Sequence, residues 1–349
     1  MLTLRMLSQG LAGSGFEEPA QAVEWMGAIQ AQDIRAVKWA VGLRMREPSL
    51  EAVRQALDTG RILRLHVMRP TWHYIPAKDV KWMTALSSKS MFASILSWAK
   101  QYGVREEDYR KNKPHVEATL DGRHLTAQEI TAQLNAQGLR IDESAVKLCL
   151  SLAEAEGTIC SGAEKAGKHT YALTCQRVPD AVGLPREEAL AELARRYFRG
   201  HGPATQEDFV WWSGLGVRDA RNAVASLGQE IHTERYNDRE MMVHASSPGL
   251  TEDADPDSQG ILRFLPPFDE YLISYKNRLD CIREAHTRHA YNNFGIFQPV
   301  ILHNGRITGN WRKGPKKGTF DTTFFPGCRP AARKLIEKAG KEYSSFHEK

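Results

Sequence analysis

The stretch His124–Leu173 constrains the fold most, because it holds a complete supersecondary pattern in one short run. His124–Leu125–Thr126 leads into an apolar-periodic helix through Leu134, which Gly138 caps. Asp142 or Ser144 starts a second helix, from Ala145 to about Glu156, and Gly157 ends it. Thr158–Ser161 and His169–Leu173 then flank a loop rich in Gly, Lys and Ala. Helix, turn, helix and hairpin in about fifty residues make a winged-helix pattern.

The pattern recurs on both sides. Upstream, a helix from Leu2 to about Leu11 and a helix from Leu50 to Thr59, closed by Gly60, precede an alternating run from Ile62 to Ile75. Arg69–Pro70 is its turn, and Pro76 and Asp79 start a further helix. Downstream, Arg186–Arg199 carries Leu190, Leu193, Ala194 and Tyr197 on one face. Thr205 is an N-cap with Asp208 three residues on, and Gly228 stops a helix that starts at Val217. A hairpin of Ile231–Tyr236 and Met241–His244 follows across Asn237–Asp238. Ser246–Ser258 reads as an exposed linker. Beyond it, Gln298–Leu302 and Arg306–Arg312 form a hairpin at Asn304–Gly305, and a helix from about Ala331 to Ala339 closes the chain. The expected class is mainly α with β-wings (α+β). Three winged-helix modules occupy 1–115, 116–182 and 183–247, with a mixed β-domain at 259–349.

One junction falls outside this pattern. After Pro19, Ala22, Met26 and Ile29 sit at helical spacing; Ile34, Val37 and Val41 resume it, with Arg35, Lys38 and Arg46 off that face. Asp33 stands where an N-cap belongs. Gln30 and Gln32 therefore lie between two helices, where extended backbone turns residues i and i+2 to the same side. The two amides either satisfy backbone groups at the junction or hold one water or sugar-phosphate oxygen, and the residue types leave both open.

Several chemistries lack their residues. No His-x-x-x-His, no carboxylate cluster with metal spacing and no phosphate-cradling glycine loop occurs. Gly214–Leu215–Gly216 lies between two helices and is a turn; Gly13–Ser14–Gly15 has no strand before it and is a loop. Trp211–Trp212 sits on a helix, with one ring in the core and one at the surface. Neither a metal nor a cofactor is expected. The five cysteines are odd in number, widely spaced and without a C-x-x-C pair, as in a reduced, cytoplasmic protein. No apolar run reaches the length of a membrane span, and no signal-peptide core opens the chain. Net charge is +5, yet residues 301–349 hold 11 Lys/Arg against 4 Asp/Glu, a net of +7 that leaves −2 for the rest. Such a segment either binds a polyanion or keeps the protein in solution. Winged helices most often meet duplex DNA, so the residues alone reach a tandem winged-helix DNA-binding protein.

Four blocks carry the argument further: Gly27–Asp33, Met68–Ile75, His201–Leu215, and Leu265–Ile273 followed by Lys276–Asn277–Arg278. Together with Gly309–Arg312 they span nearly the whole chain in order. The ordered set resembles the AlkZ/YcaQ winged-helix DNA glycosylase superfamily, and the resemblance implies a C-shaped assembly of three winged helices plus a C-terminal β-domain. The superfamily's Gln-x-Gln motif, Gln-x-Asp in its other branch, falls on Gln30 and Gln32 here; Ala31 is smaller than the aliphatic residue usual between them.

The resemblance implies a monofunctional glycosylase acting, as a monomer, on duplex DNA that carries alkylated bases, and the amide chemistry fits. A glutamine accepts through its carbonyl and donates through its NH₂, but it is no general base at neutral pH. Two of them can place water at an anomeric carbon and face an oxocarbenium charge, which suffices only for an activated leaving group. N7- or N3-alkylpurines are cationic and leave readily. No lysine occupies the motif, so no Schiff-base step is expected. Arg35, Lys38, Arg69, His73, Arg312 and Lys313 are the expected DNA contacts, although a lone His on a strand is more often structural. The competing readings are a non-catalytic DNA-binding regulator and a scaffold that binds protein through its wings.

Overall fold

The computed structural model describes residues 1–13, 15–251 and 260–348. The linker expected at Ser246–Ser258 lies largely outside the described residues, as does Ser14. Secondary structure is mostly helical, with small antiparallel sheets, and the chain forms two compact units: Met1–Arg54 with Ala191–Lys349, and Gln55–Leu190. Among the described residues no helix is long and apolar enough to cross a membrane. All five cysteines are free thiols.

The Gln55–Leu190 unit opens with a hairpin, Ile62–His66 against Trp72–Pro76, in which Leu65 faces His73. Its connection places Met68 at φ 65°, with Thr71 N–H donating to the Arg69 carbonyl at 2.6 Å. Helices Val80–Ala99, Glu106–Leu120, Ala127–Ala136 and Glu143–Ala155 enclose one core of Leu120, Ile130, Leu134, Val146, Leu150 and Leu152. Both helices after Leu125 are capped by side chains. Thr126 Oγ1 accepts the Glu129 N–H at 3.2 Å while Glu129 Oε2 accepts the Thr126 N–H at 2.7 Å, and Asp142 Oδ1 caps its helix through Ala145 N–H at 3.0 Å. The hairpin Ile159–Ser161/Tyr171–Leu173 follows. Helix Glu106–Leu120 departs from the sequence reading. Most of its residues are polar, Pro114 lies inside it, and it buries only Tyr109, Val116, Thr119 and Leu120.

The other unit brings together chain segments far apart in sequence. Its sheet runs Phe320–Phe324, Arg306–Lys313, Val300–His303, Leu262–Leu265, antiparallel throughout. Asn304 at φ 49° and Gly305 at φ 78° make the hairpin turn, as the Asn–Gly pair predicts. The closing helix is longer than expected, Arg333–Glu348, and packs Leu335 and Ala339 on Phe264 and Trp311, whose rings stack 4.9 Å apart. Strand Phe320–Phe324 was not legible in the sequence, where its Asp and two Thr break the apolar pattern. A second hairpin, Ile231–Tyr236/Arg239–His244, turns at Asn237 and Asp238, both with positive φ. Trp212 is fully buried on helix Gln206–Ser213 and Trp211 is 42% exposed, as expected of that pair.

Candidate functional site

The glutamine junction is held at both ends by local chemistry. Glu18 caps helix Pro19–Met26, and Gly27 ends it at φ 75°. A Cβ on Gly27 would stand 3.2 Å from Arg196 Cβ and 3.3 Å from Trp212 Cη2, so glycine satisfies both the backbone and the space. Ala28, Ile29 and Ala31 are completely buried, and Ile29–Gln30 is extended. On the far side the Asp33 carboxylate accepts the N–H groups of Arg35 (2.9 Å) and Ala36 (3.0 Å), and helix Ala36–Gly42 begins after Arg35, which takes the N-cap position in place of Asp33.

Gln30 and Gln32 differ in setting. Gln30 is 5% exposed, whereas Gln32 is exposed to solvent two residues on. Arg35 is exposed. Lys38 is 8% exposed, so it is buried rather than off the apolar face as the pattern suggested; a long aliphatic stem lets a lysine sit there.

The backbone of Gln30 is fixed by a residue the sequence reading did not single out. Its N–H donates to Glu270 Oε1 at 2.5 Å. Glu270 is fully buried; its Oε2 accepts from the Ser274 hydroxyl and from Trp212 Nε1 at 3.2 Å, while His201 Nε2 lies 3.6 Å away. Burial works to raise the Glu270 pKa, yet His201, Ser274 and the Gln30 N–H favour the charged form by more and hold it at about 2. Burial pushes the His201 pKa down, and its ring stacks on Tyr197 at 5.0 Å.

A second layer surrounds this carboxylate. Asp269 forms a two-pronged pair with Arg44, at 3.0 and 3.1 Å, both fully buried. Arg44 also donates to Gln9 Oε1 at 3.0 Å. The Gln9 amide in turn donates to the Tyr275 hydroxyl at 2.9 Å, and that hydroxyl donates to the His201 carbonyl at 2.7 Å. Phe268, at φ 61°, precedes the pair of acids in a backbone conformation unusual for a bulky residue.

The sequence blocks at 27–33, 201–215, 265–273 and 276–278 are thus bonded to one another within one unit. Asp208 Oδ2 closes the Thr205 cap while Oδ1 accepts Lys276 N–H at 2.8 Å, and Arg278 Nε donates to the Leu272 carbonyl at 2.8 Å. Trp311, from the 309–312 block, donates to the Leu265 carbonyl at 2.8 Å. The blocks in the sequence contained Glu270 and His201, but no local pattern gave either a role; Asp208 was legible only as the capping partner of Thr205.

The remaining expected residues are spread over both units. In the Gln55–Leu190 unit, His73 is fully buried with Nδ1 3.0 Å from the Thr71 carbonyl, and Arg69 is half-buried in the same hairpin connection. In the other unit, Arg312 is exposed and paired with Asp321 at 3.0 Å; Lys313 is also exposed, its Nζ 5.1 Å from the Tyr343 ring. Among the described residues no three His, Cys, Asp or Glu side chains gather as a metal site would require.

A family profile described as "DNA glycosylase AlkZ-like" matches residues 23–346. The DNA glycosylase AlkZ of Streptomyces sahachiroi has a similar solved structure, with a TM-score of 0.82 at 22% identity over 99% of this chain and 95% of that one. No curated protein matches the chain.

Proposed function

The chain belongs to the AlkZ-like DNA glycosylase family, and from that premise we propose that it hydrolyses the N-glycosidic bond of cationic N7- or N3-alkylpurines in duplex DNA, using a water that Gln30 and Gln32 position. One observation carries this reading: a buried, ionised carboxylate grips the backbone of Gln30 at 2.5 Å, two residues from a solvent-facing glutamine. Fixing the backbone fixes where the Gln30 side-chain amide can reach, and alignment of a nucleophile is where an enzyme without a strong base finds its rate.

The mechanism asks little else of the protein. The alkylated purine leaves with its own positive charge neutralised. The glutamine carbonyls accept hydrogen bonds from the water, their oxygen dipoles face the positive charge that develops on the sugar, and the water oxygen bonds to C1′ as the purine leaves with the bonding electrons, its proton passing to solvent. Bulky adducts and interstrand crosslinks carry the same activated bond and fall within the same chemistry. Arg35, Lys38, Arg69, Arg312 and Lys313 serve as DNA contacts in this reading, and His73 acts through the turn it holds.

The test is single-turnover release of N7-methylguanine from duplex DNA. Gln30→Ala and Gln32→Ala should each slow release on the order of a hundredfold and leave DNA affinity nearly intact. The double variant should lose far less than the product, because both amides hold one water. Unchanged release by the double variant removes the glutamines from the mechanism.

A further inference from the structure

A cleft of about 740 Å³ on the Met1–Arg54/Ala191–Lys349 unit is lined by Arg283, Arg306 and Arg329, with His303, Asn304 and Thr308 beside them. It lies between the Asn304–Gly305 turn and the Gly327–Ala332 segment that leads into helix Arg333–Glu348. No Asp or Glu is among its described lining residues. Arg283 gives one bond, to the Gly327 carbonyl at 3.3 Å, and among the described residues neither Arg306 nor Arg329 has an acidic partner. Three other exposed arginines of this unit are ion-paired: Arg312 with Asp321 at 3.0 Å, Arg333 with Glu337 at 2.7 Å and Arg235 with Asp238 at 3.3 Å.

Three guanidinium groups around one hollow repel each other unless an anion enters. Each presents a planar fork of donors and no acceptor, a shape that fits two oxygens of a phosphate. The hollow falls in the size range of sites for whole small molecules, which suits a sugar-phosphate step better than a lone oxyanion. We propose that this cleft is an anchoring subsite for backbone phosphates of the DNA duplex flanking the lesion, an inference that rests on the DNA reading above.

The test reads binding alone, on undamaged duplex and with the full-length chain, so a failure of the glutamine mechanism leaves it interpretable. Fluorescence anisotropy across a salt series should show the slope of log K against log salt shallower by about 1.8 in Arg306→Gln/Arg329→Gln, at about 0.9 for each lost phosphate. The single variant Arg329→Gln, in an exposed loop, should give about half that change and stands in where the double variant does not fold. Arg105→Gln/Lys147→Gln removes the same charge from exposed, ion-paired helix positions of the other unit and should move the slope less. An equal change in that control, or an unaltered slope in the cleft variants, overturns the proposal. Inorganic phosphate titrated by calorimetry separates the sources. Phosphate bound by the wild type, with a DNA slope that the cleft variants leave unaltered, assigns the cleft to a free phosphorylated ligand and overturns the duplex assignment.

Discussion

Glu270→Gln isolates the carboxylate that holds Gln30, because the substitution keeps the shape and removes the charge. Two routes give its cost. The folded pKa of about 2 against an ordinary 4.5 converts, at 1.36 kcal/mol per unit, to about 3 kcal/mol. The hydrogen bonds give a similar figure. The carboxylate accepts from Gln30 N–H, Ser274 and Trp212, whereas an amide points its NH₂ at one of those buried donors, which costs about 1–3 kcal/mol beyond the weakened bonds. The sign follows from the depressed pKa. The stabilisation is complete above about pH 4.5 and is lost as the pH falls towards 2. The assay is hydrogen exchange of the Gln30 amide, followed by mass spectrometry with wild type and variant compared at the same pH. Three kcal/mol is on the order of a hundredfold faster exchange near neutrality. That gap should narrow steadily below pH 4.5. Equal protection at pH 7, or a gap that persists undiminished in acid, would refute the account of an ionised anchor.

Other positions test separate parts of the structure. Gly27→Ala forces a Cβ into positive φ and against Arg196 and Trp212; it should cost about 1–3 kcal/mol of stability by urea denaturation, and a neutral result would show that the junction relaxes freely. Arg312→Gln/Lys313→Gln should flatten the salt slope for duplex DNA by about 0.9, because Asp321 already neutralises Arg312 and Lys313 carries the free charge, and an affinity insensitive to salt in the wild type would count against the basic segment as a DNA contact. His73→Ala empties a fully buried position and removes a partner of the half-buried Thr71 carbonyl, and should lower the stability of its unit by about 1–3 kcal/mol; a variant that melts with the wild type but binds DNA less well would give His73 a direct contact instead.

Much of the secondary structure was legible because its signals are local. Thr126, Asp142 and Thr205 cap the helices they precede, and Gly157, Gly228 and Asn304–Gly305 sit where the chain must turn. Helix Glu106–Leu120 escaped notice because most of its residues face solvent, so its periodicity is faint. Of the candidate site, the glutamines could be located from their place between two helices. Glu270 could not be assigned a role, because a buried acid in Pro-Phe-Asp-Glu-Tyr looks like any other until its partners are known. Those partners are Gln30, Trp212 and Ser274, and only the last is near in sequence.

The bond from Gln30 to Glu270 spans 240 residues, and that span sets an order of events during synthesis. At about 5–20 residues per second, the ribosome needs on the order of ten to fifty seconds to deliver the acid after the glutamine. Over that interval the whole of the intervening Gln55–Leu190 unit is synthesised. The bond that anchors the Gln30 backbone to Glu270 therefore cannot form until residue 270 has been made. A chain that stops short of residue 270 carries both glutamines but lacks the carboxylate that holds the Gln30 backbone, and on the mechanism proposed above it would not release a base.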